Sequence, residues 1–263
     1  MNKTAAAYIR VSDERQDEFS PDSQLKLIRE YCARNDIELP DELIFYDDGI
    51  SAKTAAKRPE FNRMIDTFIE AGFNYFDTAH GYLNEQSEYI VKECLTKRHE
   101  RSEYLIATKL SPNYFEKNED IRPFFFKQLE AIGVSYVDFY LMHCQNKDLF
   151  KKYKECKAYE EAFKLKEEGL IRHVGFSFHD KADVLDQILT EYPEIEFVQI
   201  QFNYLDYDMQ DAKKQYELLT ENNISVVVME PVRGGMLANV CNDAEVLFKS
   251  CRPEMSVASW ALR

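Results

Sequence analysis

Short apolar runs recur along this chain, separated by longer segments in which apolar positions return every three or four residues. The runs are 5–11 (Ala-Ala-Ala-Tyr-Ile-Arg-Val), Leu43–Tyr46, Tyr75-Phe76, Tyr104–Lys109, Val137–Met142, Val174–Phe176, Phe197–Ile200 and Ser225–Met229. Each reads as a strand. The intervening segments read as helices. One starts at Ser20-Pro21 and carries Leu25, Ile28 and Cys32 at helical spacing, and a second runs from Pro59 through Phe61, Met64, Ile65 and Phe68. Others cover Glu85–Leu95, a stretch from Pro123 to Gly133, a charged helix Lys154–Glu168 closed by Gly169, a segment with Val184, Leu185, Ile188 and Leu189, and Ala212–Thr220. Single strands alternating with helix-length segments predict βα units and a parallel sheet. The nearly unbroken apolar character of the later strands predicts a sheet covered on both faces, or a barrel.

In such folds functional groups gather at the C-terminal ends of the strands. Three strand ends here carry titratable side chains: Asp77, Lys109 and His143. Tyr82 stands in the loop after the first of them. A carboxylate with a phenol in the following loop is the start of an acid–base site. Taken alone, the same two residues read equally as a helix-capping Asp and a surface Tyr. His80, in the same loop, reads either as a residue that touches a substrate or as a solvated loop residue, and His173 and His179 as surface or supporting groups. Cys144 reads as packing, and the Glu and Lys residues of 151–169 as a solvated helix face.

Composition narrows the function classes. The chain has 263 residues, 45% of them hydrophobic, enough for one large α/β domain or two smaller ones. A formal net charge of −14 disfavours nucleic-acid binding by the whole chain. None of the six cysteines forms a C-x-x-C pair, so no metal site or iron–sulfur cluster is expected. Scattered thiols, no apolar leader and no run long enough to span a membrane predict a cytoplasmic protein with no membrane partner.

Two resemblances divide the chain. The first quarter, 1–64, resembles the start of the catalytic domain of large serine recombinases, the resolvase–invertase family. The residues that carry it are Tyr8-Ile9-Arg10-Val11-Ser12, Gln16, Gln24, Asp48-Gly49-Ile50-Ser51 and Arg58-Pro59-Glu60-Phe61. The resemblance implies that Ser12 attacks a DNA phosphate while Arg10 holds it. The match stops near Met64, before that family's further arginines, dimer helix and DNA-binding elements, so Ser12 reads better as a serine at a strand end.

Residues 65–263 resemble an aldo-keto reductase, nearest the branch that often carries an iron–sulfur segment. That resemblance rests on Gly72–Ala79 with Tyr82, Ser87-Glu88, Ala107-Thr108-Lys109, Leu141-Met142-His143, Gly169–Ser177, Gln199–Asn203, Met229–Leu237 and Ala258–Arg263. It implies NADPH-dependent reduction of a small-molecule carbonyl. Tyr82 would donate the proton, Lys109 would favour the ionised phenol, Asp77 would hold Lys109, and His143 would orient the carbonyl oxygen. Ser177 and Gln199 would contact the nicotinamide amide, and the loop of Pro231, Val232, Gly234 and Gly235 would pass along the cofactor.

Two parts of the reductase pattern are not found: its opening strand and the final strand and loop that take the adenosine phosphate. The expected fold is therefore a (β/α)8-type barrel with six reductase units. The two N-terminal strands are expected to close the ring by pairing with 74–77 and with 225–229. The cofactor site is expected to be incomplete. The alternatives to a reductase are serine-type DNA strand exchange through Ser12 and an inactive fusion product.

Overall fold

The computed structural model describes residues 3–10, 21–34, 37–47 and 58–262. Ser12 and the Asp48–Ser51 turn lie outside the described residues, as does the side chain of Arg10. The elements in chain order are β1 (Lys3–Thr4), β2 (Ala7–Arg10), α1 (Pro21–Arg34), β3 (Ile37–Glu38), β4 (Ile44–Asp47), α2 (Pro59–Glu70), β5 (Tyr75–Asp77) and α3 (Ser87–Val91), which runs on as a π turn over Lys92–Thr96. They continue with β6 (Leu105–Leu110), α4 (Asn118–Ile132), β7 (Val137–Gln145), α5 (Lys147–Glu155), α6 (Ala158–Glu167), β8 (Ile171–Phe178), α7 (Ala182–Glu191), β9 (Phe197–Gln201), α8 (Asp206–Met209), α9 (Ala212–Glu221), β10 (Ser225–Met229), α10 (Asn242–Cys251) and α11 (Val257–Ala261). Strands β5 to β10 form one six-stranded parallel sheet in chain order, the succession of a (β/α)8-type fold. Among the described residues no helix is long and apolar enough to cross a membrane.

The chain forms two compact units. The first comprises Met1–Phe76, Tyr82–Leu105 and Ala131–Gly133. Here β2 and β4 pair in parallel, with Ile9 opposite Tyr46, and β1 pairs with β3. Helix α2 begins where Asp47 ends β4: the Asp47 carboxylate accepts from the backbone N–H of Glu60 (3.2 Å) and Phe61 (3.0 Å) and from the Tyr8 hydroxyl (3.2 Å). Arg58, at the N-cap itself, makes no side-chain cap, so a carboxylate from the preceding strand satisfies the free donors of the first turn. Arg63, on the same helix, lays its guanidinium 4.2 Å over the Phe45 ring and donates to the Ile44 carbonyl at 2.7 Å.

The expected closure of the ring by the N-terminal strands is not made. Among the described residues β2 and β4 pair only with each other and join neither β5 nor β10. The burial pattern supplies the reason. Ala7, Ile9 and Phe45 are buried, while Tyr8 is partly exposed and Tyr46 exposed. That alternation suits a layer buried on one face only, whereas a strand inside a ring is covered on both.

The second unit comprises Asp77–Gly81, Ile106–Glu130 and Val134–Arg263. Strands β6 to β9 are buried on both faces over most of their length; Ile106, Ala107, Leu110, Val137, Tyr140, Leu141, Met142, Val174, Phe176, Val198 and Ile200 are all fully buried, whereas β10 departs from the expected two-sided cover, with Val228 45% exposed. Strands β8 and β9 approach closely at Gly175, opposite Phe197. A Cβ there would lie 2.3 Å from the Phe197 carbonyl oxygen, so this position excludes any side chain.

Three local expectations are corrected in this unit. Helix α4 starts at Asn118, a turn ahead of Pro123, because Asp120 accepts from the N–H of Glu116 (2.9 Å) and Lys117 (3.1 Å) and so organises the entry. The single helix Lys154–Glu168 is two helices. Lys157 takes a left-handed φ of 53°, and the Cys156 and Lys157 carbonyls accept from Asn118 Nδ2 at 3.0 and 3.3 Å. Some of the charges of 151–169 pair with other elements, Arg122 with Glu161 and Glu168, Lys154 with Glu191 and Lys166 with Glu196, while Lys151 and Glu155 keep to an exposed helix face.

Candidate active site

Lys109 is the least expected residue of β6. The strand is otherwise uncharged and mostly apolar, and the lysine's own side chain is 1% exposed. A buried ammonium requires acceptors, and it has them at the end of the adjacent strand. Nζ donates to Asp77 Oδ1 and, at 2.9 Å, to the Thr78 carbonyl. The Thr78 N–H donates to the Ala107 carbonyl at 2.9 Å, so backbone pairing holds the Asp77–Thr78 corner against β6. From the helix side, Gln128 of α4 donates to the Lys109 carbonyl (3.1 Å) and to Thr108 Oγ1 (3.2 Å), and its own oxygen accepts from the Tyr140 hydroxyl (2.9 Å). The other Asp77 oxygen accepts from Gln199 Nε2 of β9 at 3.2 Å. Asp77, Lys109 and Gln199 therefore form one connected set.

His143 lies near the end of β7, where the register with β8 shifts between Met142 and Gln145. Cys144, in that irregularity, takes a φ of 59°, and its N–H donates to Ser177 Oγ at 2.9 Å. Bulges of this kind re-aim side chains. The His143 carbonyl accepts from Gln145 Nε2 (3.3 Å) and lies 3.1 Å from the fully buried Tyr153 hydroxyl, whose one proton is shared with the Leu110 carbonyl at 2.5 Å. The His143 ring places Nδ1 2.6 Å from Ser111 Oγ. Burial, reinforced by the nearby Lys109 and His179, pushes the imidazole down to about 4, so it is neutral near pH 7.

Ser177 and Gln199 face each other in the β8–β9 register, and both are buried. Among the described residues the Ser177 oxygen accepts one bond and its hydroxyl proton is left to give. Gln199 uses one N–H on Asp77 and keeps a carbonyl oxygen. One donor and one acceptor side by side match the acceptor and donor of a carboxamide. The loop after β10 turns tightly. Arg233, Gly234 and Gly235 all have positive φ, of 50°, 60° and 93°, and the N–H groups of Arg233 and Gly235 close turns onto Glu230 and Val232. Arg233 is tied to the fully buried Asp206 at 3.3 Å, and Asn203 donates to the Glu230 carbonyl at 3.0 Å, which fixes the loop that contains Pro231 and Val232.

Tyr82 belongs to the first unit. It is 40% exposed, and its carbonyl accepts from the Ser87 N–H at 3.3 Å across a turn whose Leu83, Asn84 and Glu85 all have positive φ. His80 is the corrected residue of that loop. It is 1% exposed rather than solvated, with Tyr114 and Phe124 set edge-on to it at 4.9 and 5.2 Å. His173 is at the surface, paired with Glu196. Among the described residues no three His, Cys, Asp or Glu side chains are placed to hold a metal ion.

Four residues around the site were not read from sequence: Ser111, Gln128, Gln145 and Tyr153. Ser111 had a signal, since it follows Lys109 by two positions and so shares its face. The other three are polar groups on a helix face or a strand end, and no motif in the sequence marks them.

Comparison with known proteins finds a match for both segments of the chain. Residues 5–76 match the family model described as the resolvase N terminal domain. Residues 49–259 match that of the aldo/keto reductase family. The chain is 31% identical over 194 residues to an NADH-specific methylglyoxal reductase of Escherichia coli (strain K12), covering 66% of this chain and 57% of that protein. Among solved structures, the holo form of an aldo-keto reductase from Bacillus halodurans is 27% identical, with a TM-score of 0.55, over 69% of this chain and 59% of that one. An aldo/keto reductase from Brucella melitensis shares the fold, with a TM-score of 0.60 at 23% identity, over 80% of this chain and 74% of that one. The chain spans little more than half the length of the curated relatives it matches. A six-unit parallel sheet, a lysine buried on a strand-end carboxylate and a family match over most of the sequence lead to one assignment: the chain belongs to the aldo/keto reductase family.

Proposed function

We propose that this chain is an oxidoreductase that reduces the carbonyl of a small molecule, with NADPH as the coenzyme. The observation that carries the reading is the buried Lys109 ammonium held by Asp77, with the neutral His143 ring ending the adjacent strand. Reduction of a carbonyl needs a donor to the oxygen as negative charge develops on it, and a proton for the alkoxide. His143, uncharged, serves as the hydrogen-bond donor that orients the oxygen. Tyr82 is the proton donor, a role taken from the family resemblance. Lys109 supplies fixed positive charge, and Asp77 keeps its ammonium in one place.

Ser177 and Gln199 would hold the nicotinamide carboxamide, and the Pro231, Val232, Gly234 and Gly235 loop would carry the coenzyme chain. When bound, that group supplies the hydride. The Escherichia coli relative is described as NADH-specific, so the choice of coenzyme is part of the test. Purified protein is assayed for oxidation of NADPH and of NADH against small aldehydes and α-dicarbonyls, beside Tyr82→Phe. The reading expects turnover, faster with NADPH, that falls at least about a thousandfold in the variant, as for loss of a principal acid catalyst. Equal rates in wild type and Tyr82→Phe would remove Tyr82 from the chemistry.

A further inference from the structure

We propose that Arg233 is a diphosphate-binding residue, anchored by the buried charge of Asp206 and presenting its guanidinium donors to the coenzyme. The loop that carries it is strained and held. Glu230 and Arg233 take left-handed φ values of 54° and 50°, where glycine alone is free of strain, and Gly234 and Gly235 follow at 60° and 93°. The segment after β9 holds this shape. Asn203 Nδ2 donates to the Glu230 carbonyl at 3.0 Å and to Asp206 Oδ2 at 2.6 Å. Asn203 Oδ1 accepts from the N–H of Leu205 (3.0 Å) and of Asp206 (2.9 Å), so both ends of the amide are engaged. Asp206 is completely buried, and its second oxygen lies 3.3 Å from Arg233 Nε. That approach is an ion pair without hydrogen-bond alignment, since Oδ1 has no hydrogen-bond partner. An arginine matched to a buried carboxylate for its own sake pairs best through two parallel N–H groups. Here the charge is anchored while the donors stay uncommitted. Among the described residues the Arg233 side chain, 24% exposed, makes no hydrogen bond.

The backbone beside the arginine is open. A Cβ built on Gly234 or on Gly235 meets nothing within 4 Å. Glycine stands at these positions for its φ, and the room over the backbone is free for a ligand's close approach. Between Glu230 and Ala238 Arg233 is the only cation, in a chain of net charge −14. A polyanion reaching this loop therefore meets one matching charge, on the side chain whose planar fork suits phosphate oxygens. The choice of anion rests on the reductase reading and on the sheet register. Strand β10 pairs with β9, with Val227 opposite Gln199, the residue read as a nicotinamide contact. Arg233 follows Val227 by six positions, in the loop that ends this neighbouring strand, one strand spacing of roughly 5 Å to the side. In a nicotinamide dinucleotide the diphosphate is one ribose from the nicotinamide. The adenosine phosphate is a whole nucleoside further.

Dissociation constants of the full chain for NADH and NADPH, read from the fluorescence of the reduced nicotinamide, test the proposal. Arg233→Gln leaves Asp206 buried without a counter-charge. The double variant Arg233→Gln/Asp206→Asn is therefore compared with Asp206→Asn, since neither strands a carboxylate. Loss of the arginine should raise both constants by roughly tenfold to a hundredfold, the scale of hydrogen bonds to a charged group. Arg233→Lys, which keeps the charge without the fork, should fall between. Equal affinities with and without the arginine overturn the proposal. So does a loss confined to NADPH, which would put Arg233 on the adenosine phosphate instead. Inorganic pyrophosphate, titrated by calorimetry, is the probe that needs no nicotinamide site. It should bind the wild type and not the protein without Arg233; binding to both, or to neither, counts against the proposal. Pyrophosphate binding that requires Arg233, in a chain that binds neither dinucleotide, would sink the reductase reading and leave the diphosphate site standing.

Discussion

The buried pair Lys109–Asp77 sets up an asymmetry that a double-mutant cycle can measure. Lys109→Met keeps most of the volume of the aliphatic stem but removes the donor to Asp77 and to the Thr78 carbonyl. Asp77 is then left as a carboxylate whose side chain is 27% exposed and which still accepts from Gln199. Water and the amide compensate part of the loss, so the expected cost is about 2 kcal/mol. Asp77→Asn does the reverse: it leaves an ammonium that is 1% exposed facing a neutral amide. Removing the counter-charge of a deeply buried ion costs about 3–5 kcal/mol. With both changes made, no charge is stranded, and the double variant should lose about 3 kcal/mol, leaving a coupling of about 2–4 kcal/mol. Urea unfolding followed by the fluorescence of Trp260, the single tryptophan of the chain and a residue of the second unit, reads the change. Additive losses, or Lys109→Met costing more than Asp77→Asn, would refute the reasoning that burial of the lysine dominates.

Two further outcomes follow from the same structure. His143 is pushed from an ordinary value of about 6.5 down to about 4, so on acidification the unfolded chain takes up that proton first. Its stabilising contribution is full above about pH 6.5 and is lost progressively as the pH falls toward about 4, by at most about 3 kcal/mol; His143→Gln should flatten that part of the stability profile, and an equal loss in the variant would exclude His143 as the cause. Asp47→Ala should cost about 1–2 kcal/mol in the first unit by uncapping α2, with Asp47→Asn retaining most of the stability. Unfolding followed by far-UV circular dichroism checks it, and an unchanged midpoint for the alanine variant would contradict the capping role.

The legible parts of this fold were those set by local pattern. The inner strands, from Leu105 to Gln201, announce themselves as apolar runs because both faces are covered over most of their length, and Lys109 and His143 stand out because each interrupts or ends such a run. The first strands read differently. Their alternation of Ala7, Tyr8 and Ile9 marks a one-sided layer, which is why they do not close a ring. Other features depend on partners far along the chain. The left-handed Cys144 is held by Ser177, thirty-three positions away, and carries no glycine to betray it. The break at Lys157 depends on Asn118, and the cap of α2 on Asp47. His80 has the composition of a loop residue, and only the aromatic rings of Tyr114 and Phe124 bury it. Such contacts are set by tertiary packing, which overrides local propensity.

The central claim is that the ends of β6 to β9 form a nicotinamide-dependent reduction site. Titration of the purified chain with NADPH, followed by the fluorescence of the reduced nicotinamide, tests it most directly, with Gln199→Ala and Ser177→Ala beside the wild type. The account predicts saturable binding that each substitution weakens by roughly tenfold, the loss of one buried hydrogen bond. A signal that never saturates, or binding that both variants leave unchanged, would contradict it.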